Sequence, residues 1–245
     1  MQNGAEILAL AQAGRERIAS PEFQAEVART QQDLPLPDTE IIPLGTGSSI
    51  PSNYRNVSAN LVRIPGWGSL ILDCGENTLG QLRRLYGYAG ADEVLRDLRA
   101  IYISHSHADH HLGTVAVIDA WLEATSQKEE TASNKLAIIA APKYQAFIRE
   151  FHQVQPLGLL DRVFPVTMGR ADFRHVPGRV LEVYNSYDVP GLPKIEPVLV
   201  DHCYEAAATV FTFDQDPKYG GLKIAYSGDC RPSAEFASVG RDAPL

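Results

Sequence analysis

The sequence predicts an α/β fold with a metal site gathered at its strand ends. Short apolar runs rich in β-branched residues alternate with longer segments of helical character along most of the 245 residues. Side chains able to bind a metal follow directly on four of those runs, at Asp73, His105 to His110, His202 and Asp229. Open α/β sheets hold their ligands at that end of their strands. Hydrophobic residues make up 44 % of the chain, enough for a core and too many for wholesale disorder.

Residues 1 to 32 read as a helical leader, rich in Ala, Leu, Glu and Arg. Within it Ser20-Pro21-Glu22 marks a helix start: Ser caps, Pro fits the first helical position, and Glu favours the positive end. Leu34-Pro35-Leu36-Pro37-Asp38 is an extended linker, because each Pro blocks helix for itself and its predecessor. The expected organisation is a leader and linker over 1–38 and one α/β domain over 39–245. The leader's abrupt beginning reads as the tail of something further upstream.

Glu40 to Leu44 is a strand, and Gly45-Thr46-Gly47-Ser48-Ser49 after it is a tight turn that lets backbone approach a site. That loop lacks the Lys-Ser/Thr pair of a nucleotide-binding P-loop. Ala59–Ile64 and Ser69–Leu72 form a hairpin around Pro65-Gly66-Trp67-Gly68. Asn77–Tyr86 and a short segment near Asp92–Leu98 are two helices. Ala100–Ile103 is a buried strand, and a helix with an apolar, core-facing side follows from His111. Leu136–Ala140 is a strand and Pro142–Val154 a helix. The Pro- and Gly-rich stretch 156–196 shows no clear period. Pro197–Val200, Ala207–Phe213 and Leu222–Tyr226 are the remaining strands.

No run of eighteen apolar residues occurs, so no membrane-spanning helix is expected. The first residues form no charged-then-apolar signal, and Glu6, Glu16, Glu22 and Glu26 argue against a simple mitochondrial presequence. A net charge of −8 argues against a protein that coats nucleic acid by bulk electrostatics. It leaves room for local basic faces. Arg83, Arg84, Arg96 and Arg99 form one cluster, and Arg162, Arg170, Arg174 and Arg179 another; each is either solvated surface or phosphate contact. Cys74, Cys203 and Cys230 make no Cys-x-x-Cys pair and no disulfide framework, which points to a reducing compartment. Cys203 and Cys230, each directly following a candidate ligand, read as its structural neighbours.

Ser104-His105-Ser106-His107-Ala108-Asp109-His110-His111 is the most informative segment. Four imidazoles and a carboxylate on a strand-to-helix turn suit zinc-like ions, and their alternation lets neighbouring ligands serve two metals. With His202 and Asp229, the set resembles that of the metallo-β-lactamase superfamily. Closer still, Leu44 to Pro51, Tyr54 to Ser58, Leu72 to Glu76 with Gly80-Gln81-Leu82, His107 to Gly113, and Tyr226 to Asp229 resemble the motifs of ribonuclease Z, the tRNA 3′-processing endonuclease. The resemblance covers residues 39–245 and is strongest to the C-terminal half of the long form.

That resemblance implies a four-layer αβ/βα sandwich with an incomplete second lobe. It implies two Zn²⁺: His105, His107 and His202 on the first, Asp109 and His110 on the second, and Asp229 bridging both. Two such cations would activate a water held between them and clamp the attacking and leaving oxygens. Asp109 would orient or deprotonate that water. Asp73 would hold a ligand His by its other nitrogen, or be a strand-end turn residue only. Arg55 and Asn56 would approach the acceptor end of a precursor tRNA. Removal of the 3′ trailer, location in nucleus or mitochondrion, absence of a membrane, and partnership with an N-terminal half-domain or a second copy follow from the same resemblance.

The sequence departs from the family in places. Asn53 stands where the tRNA loop usually has Lys, Ser106 where Leu is usual, and Asn77 where Gly is frequent. The His-Glu-Ala-Thr motif and the final metal-binding His expected beyond Asp229 do not occur before Leu245. A non-catalytic zinc- or partner-binding remnant of the same fold, or another hydrolase of the superfamily, is therefore the alternative expectation.

Overall fold

A computed structural model describes residues 4–32, 36–52, 54–170, 174–214 and 216–244. Leu34 and Pro35 of the linker, and Asn53, fall outside the described residues. The chain groups into two compact units, Met1–Pro37 and Asp38–Leu245. In the first, helices α1 (Gly4–Ala19) and α2 (Pro21–Gln32) follow one another. Ser20 acts as expected: its Oγ accepts the Phe23 N–H at 3.2 Å, satisfying one free donor of the α2 first turn.

The second unit runs β1 (Glu40–Gly45), β2 (Ala59–Ile64), β3 (Gly68–Cys74), α3 (Thr78–Arg96), β4 (Leu98–Tyr102), α4 (Ala108–His111) and α5 (Thr114–Ser126). It continues with β5 (Leu136–Ala140), α6 (Pro142–Val154), β6 (Val163–Met168), β7 (Val183–Tyr184), β8 (Lys194–Leu199), β9 (Ala207–Phe213), β10 (Leu222–Tyr226) and α7 (Ala234–Val239). Among the described residues these strands make a seven-stranded sheet in sequence order β1 to β7 and a three-stranded sheet β10-β9-β8. β1, β2 and β3 pair antiparallel, β3 through β6 pair parallel, and β7 closes the edge antiparallel. The parallel strands β3, β4 and β5 are buried almost throughout, as strands covered on both faces must be.

One core lies between the large sheet and α3, α5 and α6, with Leu61, Ile71, Leu82, Leu95, Ile101, Trp121, Ile138 and Ile148 all buried. Trp121 is a core residue, as its position on the apolar side of the helix suggests, and its Nε1–H donates to the Leu98 carbonyl at 3.1 Å. The other face of the large sheet meets the small one. Tyr102 reaches across: its hydroxyl donates to the Ala207 carbonyl at 2.6 Å and its ring meets Phe211 edge-on at 5.4 Å. Trp67, at the β2–β3 turn, packs edge-on against Phe213 at 5.1 Å.

The two helices expected over 77–98 are found as the two parts of α3, which breaks at the non-helical Gly87 (φ 69°, ψ 177°). Four details change. Leu98 already belongs to β4. The helix expected from His111 is divided: α4 carries Asp109 and His110, and α5 begins at Thr114. The unassigned stretch 156–196 holds β6, β7 and the start of β8. Ser233 starts α7, which sequence reading passed over, by accepting the Phe236 N–H at 3.2 Å.

Candidate metal centre

All four strand ends expected to carry ligands meet at one edge. The β4–α4 connection brings His105 and His107, and α4 adds Asp109 and His110. The turn after β8 brings His202, and the turn after β10 brings Asp229. Two glycines make this convergence possible. A Cβ on Gly113 would stand 2.0 Å from the Gly75 carbonyl, and one on Gly75 would stand 2.3 Å from the Asp109 carbonyl. Backbone therefore packs on backbone where the end of β3 meets the start of α5, sealed by Gly113 N–H donating to the Cys74 carbonyl at 2.9 Å. This contact sets the height of α4 over the strand ends.

His107 Nδ1 lies 3.0 Å from His105 Nε2 and 3.1 Å from His202 Nε2. Ligand nitrogens on a tetrahedral zinc stand roughly 3.3 Å apart. Three imidazoles thus present one nitrogen each to a common point. Cys203 joins this group, its Sγ and the three nitrogens all lying within 4.8 Å of one another. A second group, His105, His110 and Asp229, shares His105, and in it His110 Nε2 lies 3.5 Å from Asp229 Oδ2. Asp109 stands just outside that group, its Oδ2 3.6 Å from His110 Nε2. Asp229 Oδ2 is also 3.7 Å from His202 Nε2, so its carboxylate stands between the two groups.

Beneath the ligands, Asp73 is fully buried and collects four donors. His110 Nδ1–H reaches its Oδ2 at 2.6 Å, and the Ser104 and Tyr226 hydroxyls reach the same oxygen at 2.8 Å each. The Ser104 N–H takes Oδ1 at 2.7 Å. Because Ser104 commits its only proton to Asp73, His105 Nδ1, 2.9 Å from Ser104 Oγ, must donate. Both His105 and His110 then turn a bare Nε2 toward the site, the tautomer that metal binding needs. Asp73 hydrogen-bonds one imidazole directly and reaches a second through Ser104. Ser49 fixes Asp109 by donating its N–H to Oδ2 at 2.7 Å, from a left-handed backbone (φ 71°) in the loop after β1.

The electrostatics agree. Burial and the neighbouring imidazoles hold the His105 pKa down to about 2, so this ring is neutral and ready to ligate. Burial also lowers His110, but the hydrogen bond and charge of Asp73, with Asp229 and Asp109, outweigh it and leave its pKa raised. The carboxylates draw positive charge to His110 Nε2. Imidazole nitrogens and carboxylates crowded at one edge suit a divalent cation, which would take the place of the proton that His110 favours, and the residues present fit such an ion.

Arg55 is exposed on the loop before β2. Asn56 is buried; its Nδ2 donates to the Glu76 carbonyl at 2.8 Å and its own carbonyl accepts from Gly47 at 2.6 Å. Asn56 thus braces the loop from inside. Sequence reading missed Ser104, Tyr226 and Ser49 as supports and set Cys203 aside; Ser104 and Cys203 adjoin candidate ligands, whereas Ser49 lies 60 residues from Asp109 and carried no signal.

A family profile described as "Anti-Pycsar protein Apyc1" matches residues 39–148. "Ribonuclease Z 1" of Schizosaccharomyces pombe is 35 % identical over 223 residues, covering 85 % of this chain and 26 % of that protein. "Ribonuclease Z, mitochondrial" of Drosophila melanogaster is 32 % identical over 237 residues, covering 94 % of this chain and 29 % of its own length. The crystal structure of a long form RNase Z from yeast superposes with a TM-score of 0.69 at 28 % identity, over 84 % of this chain and 31 % of that one. The chain thus spans between a quarter and a third of the length of these relatives. By sequence and by fold it belongs to the ribonuclease Z family of the metallo-β-lactamase superfamily.

Proposed function

We propose that this chain is the metal-binding part of a zinc-dependent endoribonuclease that removes the 3′ trailer from precursor tRNA. What supports the reading above all is the pair of ligand groups sharing His105 and joined by Asp229. His105, His107 and His202 would hold one Zn²⁺, Asp109 and His110 the second, and Asp229 both. When bound, two such ions lower the pKa of a water and neutralise charge on a phosphodiester.

The chain's own residues do the rest. Asp73 and Ser104 engage the Nδ1 atoms of His110 and His105 and so turn Nε2 of each ring toward the metals. Asp109, its Oδ2 held by Ser49, would orient the attacking water and accept its proton. The water oxygen would bond to phosphorus as the bond to the 3′ oxygen breaks, and the leaving oxygen would take a proton from solvent. The tRNA side then ends in a 3′-hydroxyl and the trailer in a 5′-phosphate. Arg55 contacts the RNA near the acceptor end, and Asn56 acts through the loop it braces. The Drosophila relative's name favours a mitochondrial setting, and a partner half-domain would complete the enzyme.

The test is cleavage of a 3′-extended precursor tRNA by this chain with zinc, beside Asp109→Ala. The expected result is trailer release by wild type, lost by at least about a hundredfold in the variant. Equal metal content in the two proteins with no cleavage by either would overturn the reading in favour of a non-catalytic module.

A further inference from the structure

The second arginine cluster of the sequence divides in the structure, and one part of it faces the same rim as the metal centre. Arg162 is spent on the fold: it donates to Thr125, Ser126, Thr131 and Asn134 and lies 4.8 Å over the Trp121 ring. Arg170 is engaged with Tyr184. Arg174 and Arg179 are exposed and line an open cleft of about 530 Å³. Among the described residues the cleft is lined by one carboxylate, Glu182, which accepts the Tyr184 hydroxyl.

The segment carrying these arginines is tied to the metal rim. The Gly178 N–H donates to the Leu199 carbonyl at 2.7 Å, and the Leu199 N–H returns to the Arg179 carbonyl at 2.9 Å. Arg179 therefore lies beside the end of β8, three residues before His202, or about 10 Å along an extended chain. Between them stands a built group of side chains. His175 Nδ1 accepts the Glu205 N–H at 3.1 Å, which leaves Nε2 as its outward donor. Buried Glu205 accepts the Lys143 N–H at 3.1 Å and so fastens the start of α6 to the His202 turn. Tyr204, two residues after His202 and 45 % exposed, meets the Lys143 ammonium 4.0 Å from its ring centre and the His175 ring at 5.8 Å.

We propose that Tyr204, Lys143 and His175, with Arg174 and Arg179 beyond them, form a contact strip for single-stranded RNA leading away from the metal centre. An exposed aromatic ring set among cationic donors is how single strands are held without sequence preference: bases stack, and phosphates meet the cations. In a chain of net charge −8, Lys143, Arg174 and Arg179 give a polyanion a local approach, with the Glu235 carboxylate against Gly178 at its margin. The strip rests on the RNA-cleaving reading above and adds where the strand lies.

The test is anisotropy of a fluorescein-labelled twelve-residue oligoadenylate with the zinc-loaded chain between 50 and 200 mM KCl, with strand integrity checked on a gel. Tyr204→Ala is expected to weaken binding about tenfold at every salt concentration, and Tyr204→Phe to restore it. Arg174→Gln with Arg179→Gln should reduce the slope of log affinity against log salt by about 1.4, or about 0.7 for each lost phosphate contact. Arg63→Gln, at the opposite end of the sheet, should change neither. Zinc content and circular dichroism must match wild type in each variant. Wild-type affinity and slope in the Tyr204→Ala and double-arginine variants would overturn the strip, as would absence of binding by wild type. Precursor tRNA cleavage by the same proteins separates the two ideas: intact cleavage with unaltered binding leaves the RNA-cleaving reading standing and removes only the strip.

Discussion

Asp73 shows what one residue can decide here. It occupies the end of β3 in a left-handed conformation (φ 56°), and its carboxylate is fully buried. Such a charge is tolerable only because four donors meet it. Sequence reading could place Asp73 at a strand end and give it a supporting role, yet two of its partners, Ser104 and Tyr226, come from other strands. Their roles were illegible because a hydroxyl next to a ligand looks the same in sequence whether it serves the site or water. Asp73→Asn keeps the shape but removes the charge and offers an amide to donors. It is expected to lower zinc affinity about 10- to 100-fold, as loss of an orienting partner does, while leaving the ligands in place. Competition with a chromophoric chelator measures this. Unchanged affinity would show that His110 needs no help from Asp73 to present Nε2.

Elements were legible where a period or a turn signal was strong. The β2–β3 hairpin, β5, α6, β9 and β10 fall where the pattern puts them. The stretch 156–196 was opaque because Pro and Gly recur through it, Pro165 even inside β6, and leave no run with a clear period. β7 has two residues, and the Val180–Val198 bridge is isolated. The break between α4 and α5 is the most consequential detail that sequence left blurred. Leu112 and Gly113 end one helix and start the next so that backbone can rest on the end of β3. Gly113→Ala would drive a Cβ to 2.0 Å from the Gly75 carbonyl, and neither partner is a flexible side chain that could yield. The α5 start must lift, and Asp109 and His110 must rise with α4. The expected cost is about 1–3 kcal/mol by urea unfolding, as for other overpacked sites, together with loss of zinc from the Asp109–His110 side. A stable variant with full zinc content would mean that α4 is positioned by its ligand contacts and not by this backbone seat.

At the scale of the whole molecule, the centre is a tie between two sheets. His105, His107, Asp109 and His110 come from the large sheet, and His202 and Asp229 from turns of the small one. Direct links across this seam exist, such as Tyr102 to Ala207 and to Thr209. Bound metal would add cross-links of far greater strength, and a ligand that binds only the folded state stabilises it by mass action. At free zinc one hundred times its dissociation constant the gain is about 2.7 kcal/mol, which for a chain of this size raises Tm by about 5–10 °C. His202→Ala should erase most of that shift, because it removes the small sheet's imidazole from the tie, whereas Arg55→Ala should retain it. The shift should also depend on pH with a definite sign. His105 has a folded pKa near 2, far below its unfolded value. As pH falls below about 6.5 the unfolded chain takes up a proton that the folded site refuses. His110 acts the other way: its pKa is raised, so its contribution is full below about 6.5 and lost as pH rises through the folded value. Metal must displace protons from whichever imidazoles hold them, so the difference in Tm between zinc-loaded and chelated protein should be largest near pH 7.5 and shrink toward pH 5. Calorimetry of the two forms across that range decides it. A difference that stays constant with pH would mean that the stabilising ion is held by carboxylates alone and that the imidazoles do not join the two sheets.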